Sequence, residues 1–323
     1  MTTALAHALN ASLRRSMEAD DKVVLIGEDI GALGGVFRVT DGLEKDFGPE
    51  RVVTSPLGEA GIVGSAIGLA MAGYRPVCEI QFDGFVFPAM NQIITQLAKY
   101  RHRSQGRVTL PVVIRIPVGG GIGAIEHHSE SPEAYFTHTP GLRVVCPSNS
   151  QDAYDLLGDA IRSDDPVLFL EPKRLYWARS ALDPAGGTAD PDTARVVRTG
   201  SDLTLVAHGA LVPTALKVAA TLSEEGRDVE VVDLRSLSPI DDATVVESVR
   251  RTGRLVIAHE ASQTGGIGGE LAARVQQQAF YELEAPVLRV TGYDTPYPAS
   301  RLEEDWLPSL DRMLEACDHS YSH

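Results

Sequence analysis

The sequence contains few cysteines and no long apolar run, and each scarcity excludes a class of protein. Its three cysteines, Cys78, Cys146 and Cys317, are too few and too scattered for a disulfide framework or a zinc site. No run of about 18 apolar residues occurs, which argues against a membrane-spanning helix. The first residues are polar and helix-like rather than a signal peptide, so we expect the chain in a reducing cytoplasm.

Basic residues are also scarce, because 29 Lys and Arg face 44 Asp and Glu, for a formal charge of -15. This charge disfavours nucleic acids and anionic membranes as partners, since both bind basic patches. It would suit a basic protein partner. The hydrophobic share of 43% and charged share of 23% are those of a globular protein. The 323 residues are enough for two domains of ordinary size.

Strand-like and helix-like segments alternate along the chain, which predicts an α/β fold with mainly parallel sheets covered on both faces. In the first half the predicted strands are 23–26, 51–53, 76–82, 111–117, 142–146 and 167–170, and the predicted helices are 3–17, 59–71, 87–101 and 151–161. In the second half the predicted strands are 203–207, 229–234, 255–258 and 287–290, and the predicted helices are 212–224, 242–251 and one from the glycines at 265–269 to about 281.

A polar segment rich in Pro and Gly, 182–200, interrupts this alternation and indicates an interdomain linker. It would separate an N-terminal α/β domain, 1–181, from a smaller α/β domain, 201–323.

Two adjacent histidines, His127 and His128, follow the predicted strand 111–117 and a cluster of glycines. A strand that ends in a Gly-rich loop is how α/β enzymes present proton-transfer groups at the carboxyl edge of a sheet. An imidazole can give and take a proton near neutral pH. On spacing alone, a surface loop with incidental histidines explains this segment equally well.

A lone carboxylate, Glu59, stands at the first turn of a glycine-rich helix. Gly64 and Gly68 share one face of that helix with Gly61 nearby, so another helix could approach to backbone contact. Helix capping is the plainer explanation of Glu59. A buried Glu without a cationic partner would instead have a raised pKa and could share a proton with a ligand nitrogen.

Several motifs occur in the same order as in one family of enzymes. They are the Glu59 helix, Gly27–Asp29, Gly35–Thr40, Arg75–Phe82, His128–Ala134, Pro140–Val145 and Glu171–Lys173. Together they resemble the β subunit of the E1 component of 2-oxo acid dehydrogenase complexes, over essentially the whole chain. The resemblance implies a doubly wound, pyrimidine-type domain that binds thiamine diphosphate, followed by a transketolase C-terminal-like domain.

The resemblance also assigns roles to individual residues. Glu59 is expected to hydrogen-bond pyrimidine N1′ of the cofactor and favour its imino tautomer. His128 is expected to transfer protons while the acyl group passes to a lipoyl group. His127 and Glu130 stand where relatives often carry Tyr and Gln, which leaves open whether His127 shares this role. The remaining cofactor-binding positions implied are Leu57, Gln81, Phe85 and Glu28, the last as part of an acidic chain between paired sites.

The sequence lacks the Gly-Asp-Gly segment by which such enzymes hold diphosphate and Mg²⁺. A separate α subunit is therefore expected to hold that half of the cofactor, in a heterotetramer of two α and two β subunits. The helix with Gly61, Gly64 and Gly68 would form the β–β contact. Some relatives bind a monovalent cation such as K⁺, and the turn at Asp164 could join such a site.

The substrate and the surface that binds E2 are inferred from shorter sequence features. The segments 79–82 and 85–88 favour branched-chain 2-oxo acids, with pyruvate as the alternative, although the two differ only by an alkyl group. The other partner implied is the E2 lipoyl acyltransferase, whose subunit-binding domain is usually basic. Candidate acidic contacts are Glu282, Glu284, Glu303, Glu304, Asp305 and Asp311.

Three readings of other classes remain open. The chain could be a non-catalytic assembly subunit, although it retains Glu59 and His128. A dinucleotide-binding dehydrogenase would rest on Gly119-x-Gly121-x-x-Ala124, which lies far into the domain and is followed by histidines where a helix should open. A zinc hydrolase would need a metal-spaced motif around its histidines, and none occurs.

Overall fold

The computed structural model describes residues 1–186 and 190–323 as strands and helices in close alternation. The strands are β1 (Thr2–Ala4), β2 (Val23–Gly27), β3 (Val52–Thr54), β4 (Arg75–Glu79), β5 (Val113–Val118), β6 (Arg143–Val145), β7 (Val167–Pro172), β8 (Arg179–Ala181), β9 (Arg195–Arg198), β10 (Leu203–Ala207), β11 (Val229–Asp233), β12 (Ser236–Ser238), β13 (Leu255–Ser262) and β14 (Leu288–Gly292).

The helices lie between these strands and follow the last one. They are α1 (Leu5–Ala19), α2 (Leu43–Phe47), α3 (Glu59–Met71), α4 (Ala98–Arg103), α5 (Glu133–Thr137), α6 (Ser150–Arg162), α7 (Val212–Glu224), α8 (Asp242–Thr252), α9 (Ile267–Ala279), α10 (Glu303–Trp306) and α11 (Leu310–Tyr321). Local chemistry sets several ends: Asn149 and Asp241 cap the first turns of α6 and α8, and α8 ends at Gly253, whose φ is +69°.

Within the described residues, seven strands form one sheet in the order β12-β6-β7-β5-β4-β2-β3, parallel except for β12. Its central strands are buried along their length because helices cover both faces. Alternate residues therefore enter different cores: Val113 packs with α1 and α6, whereas Ile114 packs with α3 on the opposite face. The predicted parallel α/β fold is confirmed.

A second sheet of five described strands follows the order β14-β13-β10-β11-β9, with only β9 antiparallel. Its residues Val206, Val232 and Ile257 belong to the same apolar cluster as Ile114 and α3. In addition, β12, which belongs to the second half of the chain, pairs with β6 at the edge of the first sheet. The two halves of the chain therefore share one core and one sheet edge.

The structure corrects several predicted elements. Within the predicted linker 182–200, residues 187–189 lie outside the described ranges and 195–198 form β9, which pairs with β11; the division into domains stays a prediction. The first helix begins at Leu5, because Thr2–Ala4 pairs with β8. The predicted helix 87–101 is a 3₁₀ segment at Asp83–Ala89, a π-helix at Asn91–Leu97 and then α4. The segment is therefore helical, but its hydrogen bonds first span three residues and then five, rather than the four of an α-helix. The C-terminal helix α11 was not predicted.

Candidate active site

The parallel register brings the carboxyl ends of four strands to one edge of the first sheet. Gly27 of β2 is paired with Thr54 of β3 and Glu79 of β4, and Glu79 is paired with Arg115 of β5. The segments after these strands carry the predicted site residues. Ligands of open α/β sheets bind at this edge, so the topology itself gathers the candidate residues.

Glu59 is the first residue of α3 and is 8% exposed, although the preceding Leu57 is 81% exposed. Among the residues that the structure describes, none forms an ion pair or a side-chain hydrogen bond with Glu59. Glu28 lies beside it and accepts a hydrogen bond of 3.2 Å from the Gly58 N–H. Burial raises the pKa of Glu28, and the charges of Glu59 and Asp29 add to this. The carboxyl groups of Glu28 and Glu59 therefore lie near each other, shielded from solvent, at this edge of the sheet.

His128 is packed among aromatic rings, whereas His127 faces solvent. The His128 ring stacks on Phe82, with centroids 4.0 Å apart at 19°, and meets Phe85 edge-on at 5.0 Å. Its Nδ1 lies 2.9 Å from the carbonyl oxygen of His127. A carbonyl can only accept, so neutral His128 carries its proton on Nδ1 and keeps the Nε2 lone pair free. The His127 side chain is 47% exposed and lies 3.2 Å from Glu126.

Gln81 precedes Phe82 of the aromatic cluster and contacts the segment that carries Glu28. Its amide nitrogen donates to Asp29 Oδ2 over 2.8 Å, and Asp29 directly follows Glu28. Leu57 and Glu59 flank Gly58, whose N–H binds Glu28, so these three side chains lie in one place. Gln81 is held near them by its hydrogen bond to Asp29. Phe85 joins His128 in the aromatic cluster.

Three buried ion pairs, formed by two basic residues, lie under the site. Lys173 Nζ is 2.5 Å from Asp83 Oδ1, and the other oxygen of Asp83 accepts from the Glu130 N–H over 2.9 Å. Arg115 contacts Glu79 and Glu171, each over 2.7 Å. Sequence reasoning singled out Glu171–Lys173 only as a motif, without a role, and missed Asp83. The signal available in the sequence was a charged residue, Asp83, among the mainly apolar and aromatic residues 82–87.

Some predicted residues lie elsewhere. Asp164 precedes β7 at the opposite edge of the sheet, where Arg75 donates to its carboxylate over 3.0 Å. Glu303 is 5% exposed, so its expected role as an acidic surface contact is wrong. It is buried because it binds backbone N–H groups of the glycine loop. Within residues 1–186 and 190–323, no three His, Cys, Asp or Glu side chains are grouped so that they could hold a metal ion. His127, His128 and His138 therefore form no such group. No helix in those same ranges is long and apolar enough to cross a bilayer.

A buried acid and two buried histidines meet between the halves of the chain. Glu133 Oε1 is 3.8 Å from His208 Nε2, and His259 has neither ring nitrogen paired among the described residues. Burial raises the pKa of Glu133 to about 8, and the nearby charge of Glu260 adds to this. Burial lowers the pKa of His208 to about 3 and that of His259 to about 4. Near pH 7 these groups therefore meet mainly in their neutral forms.

We expect a Glu133→Gln variant to lose part of the pH dependence of folding. Below its usual pKa of 4.5 the stabilising contribution of Glu133 is complete, and it is lost as pH rises toward about 8, because only the folded chain keeps the proton. The free energy of unfolding of the parent should fall by about 1.4 kcal/mol per pH unit relative to the variant in this window. Urea denaturation at several pH values measures this difference.

The exposed Glu224→Gln variant is the matched control for this measurement. It should keep the parent's pH dependence. Parallel pH curves for the parent and the Glu133→Gln variant would contradict the expectation. The two histidines act in the opposite sense, since their contribution is lost as pH falls below 6.5.

Two sequence families match the chain in tandem. The pyrimidine-binding domain of transketolase matches residues 1–178, and the transketolase C-terminal domain matches residues 192–313. A solved structure described as a split gene transketolase, an inactive beta4 tetramer, has a TM-score of 0.80 over 99% of this chain and 98% of its own. Its sequence is 24% identical, so this likeness concerns the fold.

Curated relatives are far more similar in sequence. The pyruvate dehydrogenase E1 component subunit beta of Leifsonia xyli is 57% identical, over 99% of this chain and 95% of its own. The 3-methyl-2-oxobutanoate dehydrogenase subunit beta of Mycobacterium tuberculosis is 51% identical, over 97% and 90%. The 2-oxoisovalerate dehydrogenase subunit beta of Pseudomonas aeruginosa is 47% identical, over 91% and 88%. By this identity and coverage, the chain belongs to the family of β subunits of the E1 components of 2-oxo acid dehydrogenase complexes.

Proposed function

We propose that this chain, with an α subunit, decarboxylates a 2-oxo acid on thiamine diphosphate and transfers the acyl group to the lipoyl group of E2. The observation that carries the proposal is the shielded Glu59, which has no side-chain partner among the described residues, at the same sheet edge as the aromatic-packed His128. The family is thiamine diphosphate-dependent. When bound, this cofactor supplies the electron sink that decarboxylation of a 2-oxo acid requires.

The residues at the sheet edge fit the pyrimidine half of this cofactor. Glu59 offers a carboxyl group with no competing cation among the described residues, so it is free to hydrogen-bond a ring nitrogen. Leu57 presents an exposed apolar side chain beside it, and Phe85 presents a ring. Gln81 and Glu28 complete the polar part. In our proposal, Glu59 orients the ring and sets its tautomer, and Leu57, Gln81 and Phe85 hold it.

We assign the diphosphate and Mg²⁺ to the α subunit, since this sequence has no Gly-Asp-Gly segment. Exposed apolar residues surround the site and suit a covering subunit; they are Leu33, Val36, Leu57, Ile122 and Ile125. On α3, Gly61 and Gly68 face open space and Gly64 meets only Gln92, which leaves room for a close helix contact with a second β subunit. A monovalent cation near Asp164 and the docking of E2 on the C-terminal half remain parts of the proposal.

His128 is the residue that we assign to proton transfer during acyl transfer, because its Nε2 lone pair is free and its ring is held by Phe82 and Phe85. A His128→Ala variant should lose reductive acylation of a lipoyl domain by roughly 10²–10⁴-fold. It should retain decarboxylation measured with an artificial electron acceptor. The neighbouring His127→Ala variant is the control and should acylate at close to the parent rate. An equal loss in both variants would show that the assignment to His128 alone is wrong.

The substrate is tested by co-expression with the α subunit and decarboxylation assays on 2-oxo-isovalerate and on pyruvate. We propose branched-chain 2-oxo acids first, from the segments 79–82 and 85–88. Pyruvate is the second candidate, because the relative at 57% identity is named for pyruvate and the one at 51% for a branched-chain substrate. An assembly that neither binds thiamine diphosphate nor decarboxylates either acid would favour a non-catalytic assembly subunit.

A further inference from the structure

The loop that carries His128 is held by carboxylates from the C-terminal half of the chain. We call residues 119–130 the glycine loop, and Glu260 with Glu303 the carboxylate clamp. The Gly121 and Gly123 N–H groups donate to the two oxygens of Glu303, over 2.8 and 2.9 Å. The Gly120 N–H donates to Glu260 over 3.1 Å. Three backbone donors of one loop thus bind two carboxylates that lie at least 140 residues later in the chain.

The carboxylate clamp is itself fixed in place. Glu303 accepts a further hydrogen bond of 2.6 Å from the Tyr297 hydroxyl, and Glu260 lies 2.5 Å from Arg174. Both acids are less than 9% exposed. Charge-assisted hydrogen bonds shielded from water are stronger than neutral ones, so the clamp is suited to hold the loop in one conformation.

The glycines allow this close approach. A Cβ atom on Gly120 would lie 1.9 Å from the Tyr297 hydroxyl oxygen, and one on Gly121 would lie 2.5 Å from Arg174 Cδ. Gly121 also has a φ of +89°, which side chains of L residues rarely tolerate. The close approach of Tyr297 and Arg174 therefore explains Gly120 and Gly121 without a dinucleotide turn.

The other end of the glycine loop is held separately. The Gly119 N–H donates to the Glu130 carbonyl over 2.8 Å, which closes the loop at its base. The Glu130 N–H binds Asp83, which pairs with Lys173. His128 lies between this anchor and the carboxylate clamp, while Ile122 and Ile125 at the tip are exposed. Releasing the clamp would remove three backbone hydrogen bonds from the segment that precedes His128.

We infer that Glu303 is a positioning residue for acyl transfer, acting through the glycine loop on His128. This inference rests on the function proposed above. Glu303 touches neither His128 nor, in our proposal, the cofactor, so its loss should affect the step that needs His128 and spare the step that needs Glu59. A displacement of about 1 Å at a reacting group can lower a rate by about 10²-fold.

The test compares Glu303→Gln with the exposed Glu224→Gln in the heterotetramer. A glutamine keeps one acceptor oxygen, so the variant loses one of the two loop hydrogen bonds without losing the side-chain volume. For Glu303→Gln we expect kcat of lipoyl-domain acylation to fall on the order of ten-fold, with KM for the 2-oxo acid and decarboxylation to an artificial acceptor unchanged. Amides of residues 119–130 should exchange hydrogen faster. Glu224→Gln should behave as the parent in every assay.

A second, more conservative variant tests the inference in case Glu303→Gln does not fold. Tyr297→Phe removes only the hydroxyl that fixes Glu303, and it should shift acylation and amide exchange in the same direction by less. Equal acylation rates and equal loop exchange in the Glu303 and Glu224 variants would overturn the inference. If the parent assembly neither decarboxylates nor acylates, the proposed function fails, and amide exchange of the glycine loop alone then decides for or against the clamp.

Discussion

A Glu59→Gln variant of the assembled enzyme should lose decarboxylation of its 2-oxo acid by roughly 10²–10⁴-fold. Glu59 is shielded at the start of α3, and no cation among the described residues competes for its carboxyl group. A glutamine has nearly the same shape but cannot exchange a proton with a ring nitrogen. The expected loss is therefore in kcat, measured with an artificial electron acceptor so that transfer to E2 does not limit the rate.

The variant should fold and assemble as the parent does. Replacing Glu59 removes no ion pair among the described residues, and the lost interaction with the helix dipole is worth no more than about 2 kcal/mol. Glu18→Gln, on the exposed face of α1, is the matched control and should keep full activity. If Glu59→Gln retained most of the parent rate, the cofactor role of Glu59 would be refuted.

An Arg115→Met variant should show the largest loss of stability. Arg115 is 2% exposed and donates to Glu171 over 2.7 and 3.0 Å and to Glu79 over 2.7 Å. Burial raises the pKa of Glu79, and Arg115 opposes this rise. Without the guanidinium, two carboxylates would stay buried beneath the site with no cation. Breaking a buried pair in this way costs on the order of 3–5 kcal/mol, which the urea midpoint would report.

An exposed pair of the same chemistry provides the comparison. Arg101 lies 2.5 Å from Asp165, but both side chains are more than 40% exposed. Water screens this pair, so Arg101→Met should cost no more than about 1 kcal/mol. Similar midpoints for the Arg115 and Arg101 variants would mean that the buried network does not stabilise the fold.

Much of the architecture was predictable because local patterns determine it. The apolar run at 111–117 predicted β5, observed at Val113–Val118, and the helix predicted at 212–224 is α7 as observed. Strands buried on both faces need nearly continuous apolar runs, and helices between them need one apolar face. Sequence order alone therefore indicated parallel sheets. The apolar pattern did not identify β9, because two of its four residues are arginines. This strand is recognised by its pairing with β11.

The features of the site also fall into two groups, those that the local sequence determines and those that depend on tertiary contacts. The sequence by itself determined that a carboxylate opens a glycine-rich helix and that a histidine pair follows a strand and a glycine cluster, because neighbouring residues encode both. Only the tertiary structure decided that His128 is packed while His127 is exposed, that Lys173 meets Asp83, and that Glu303 is buried against the glycine loop. These contacts join residues about 50 to 180 positions apart. Their energies depend on burial and distance, which no local pattern along the chain records.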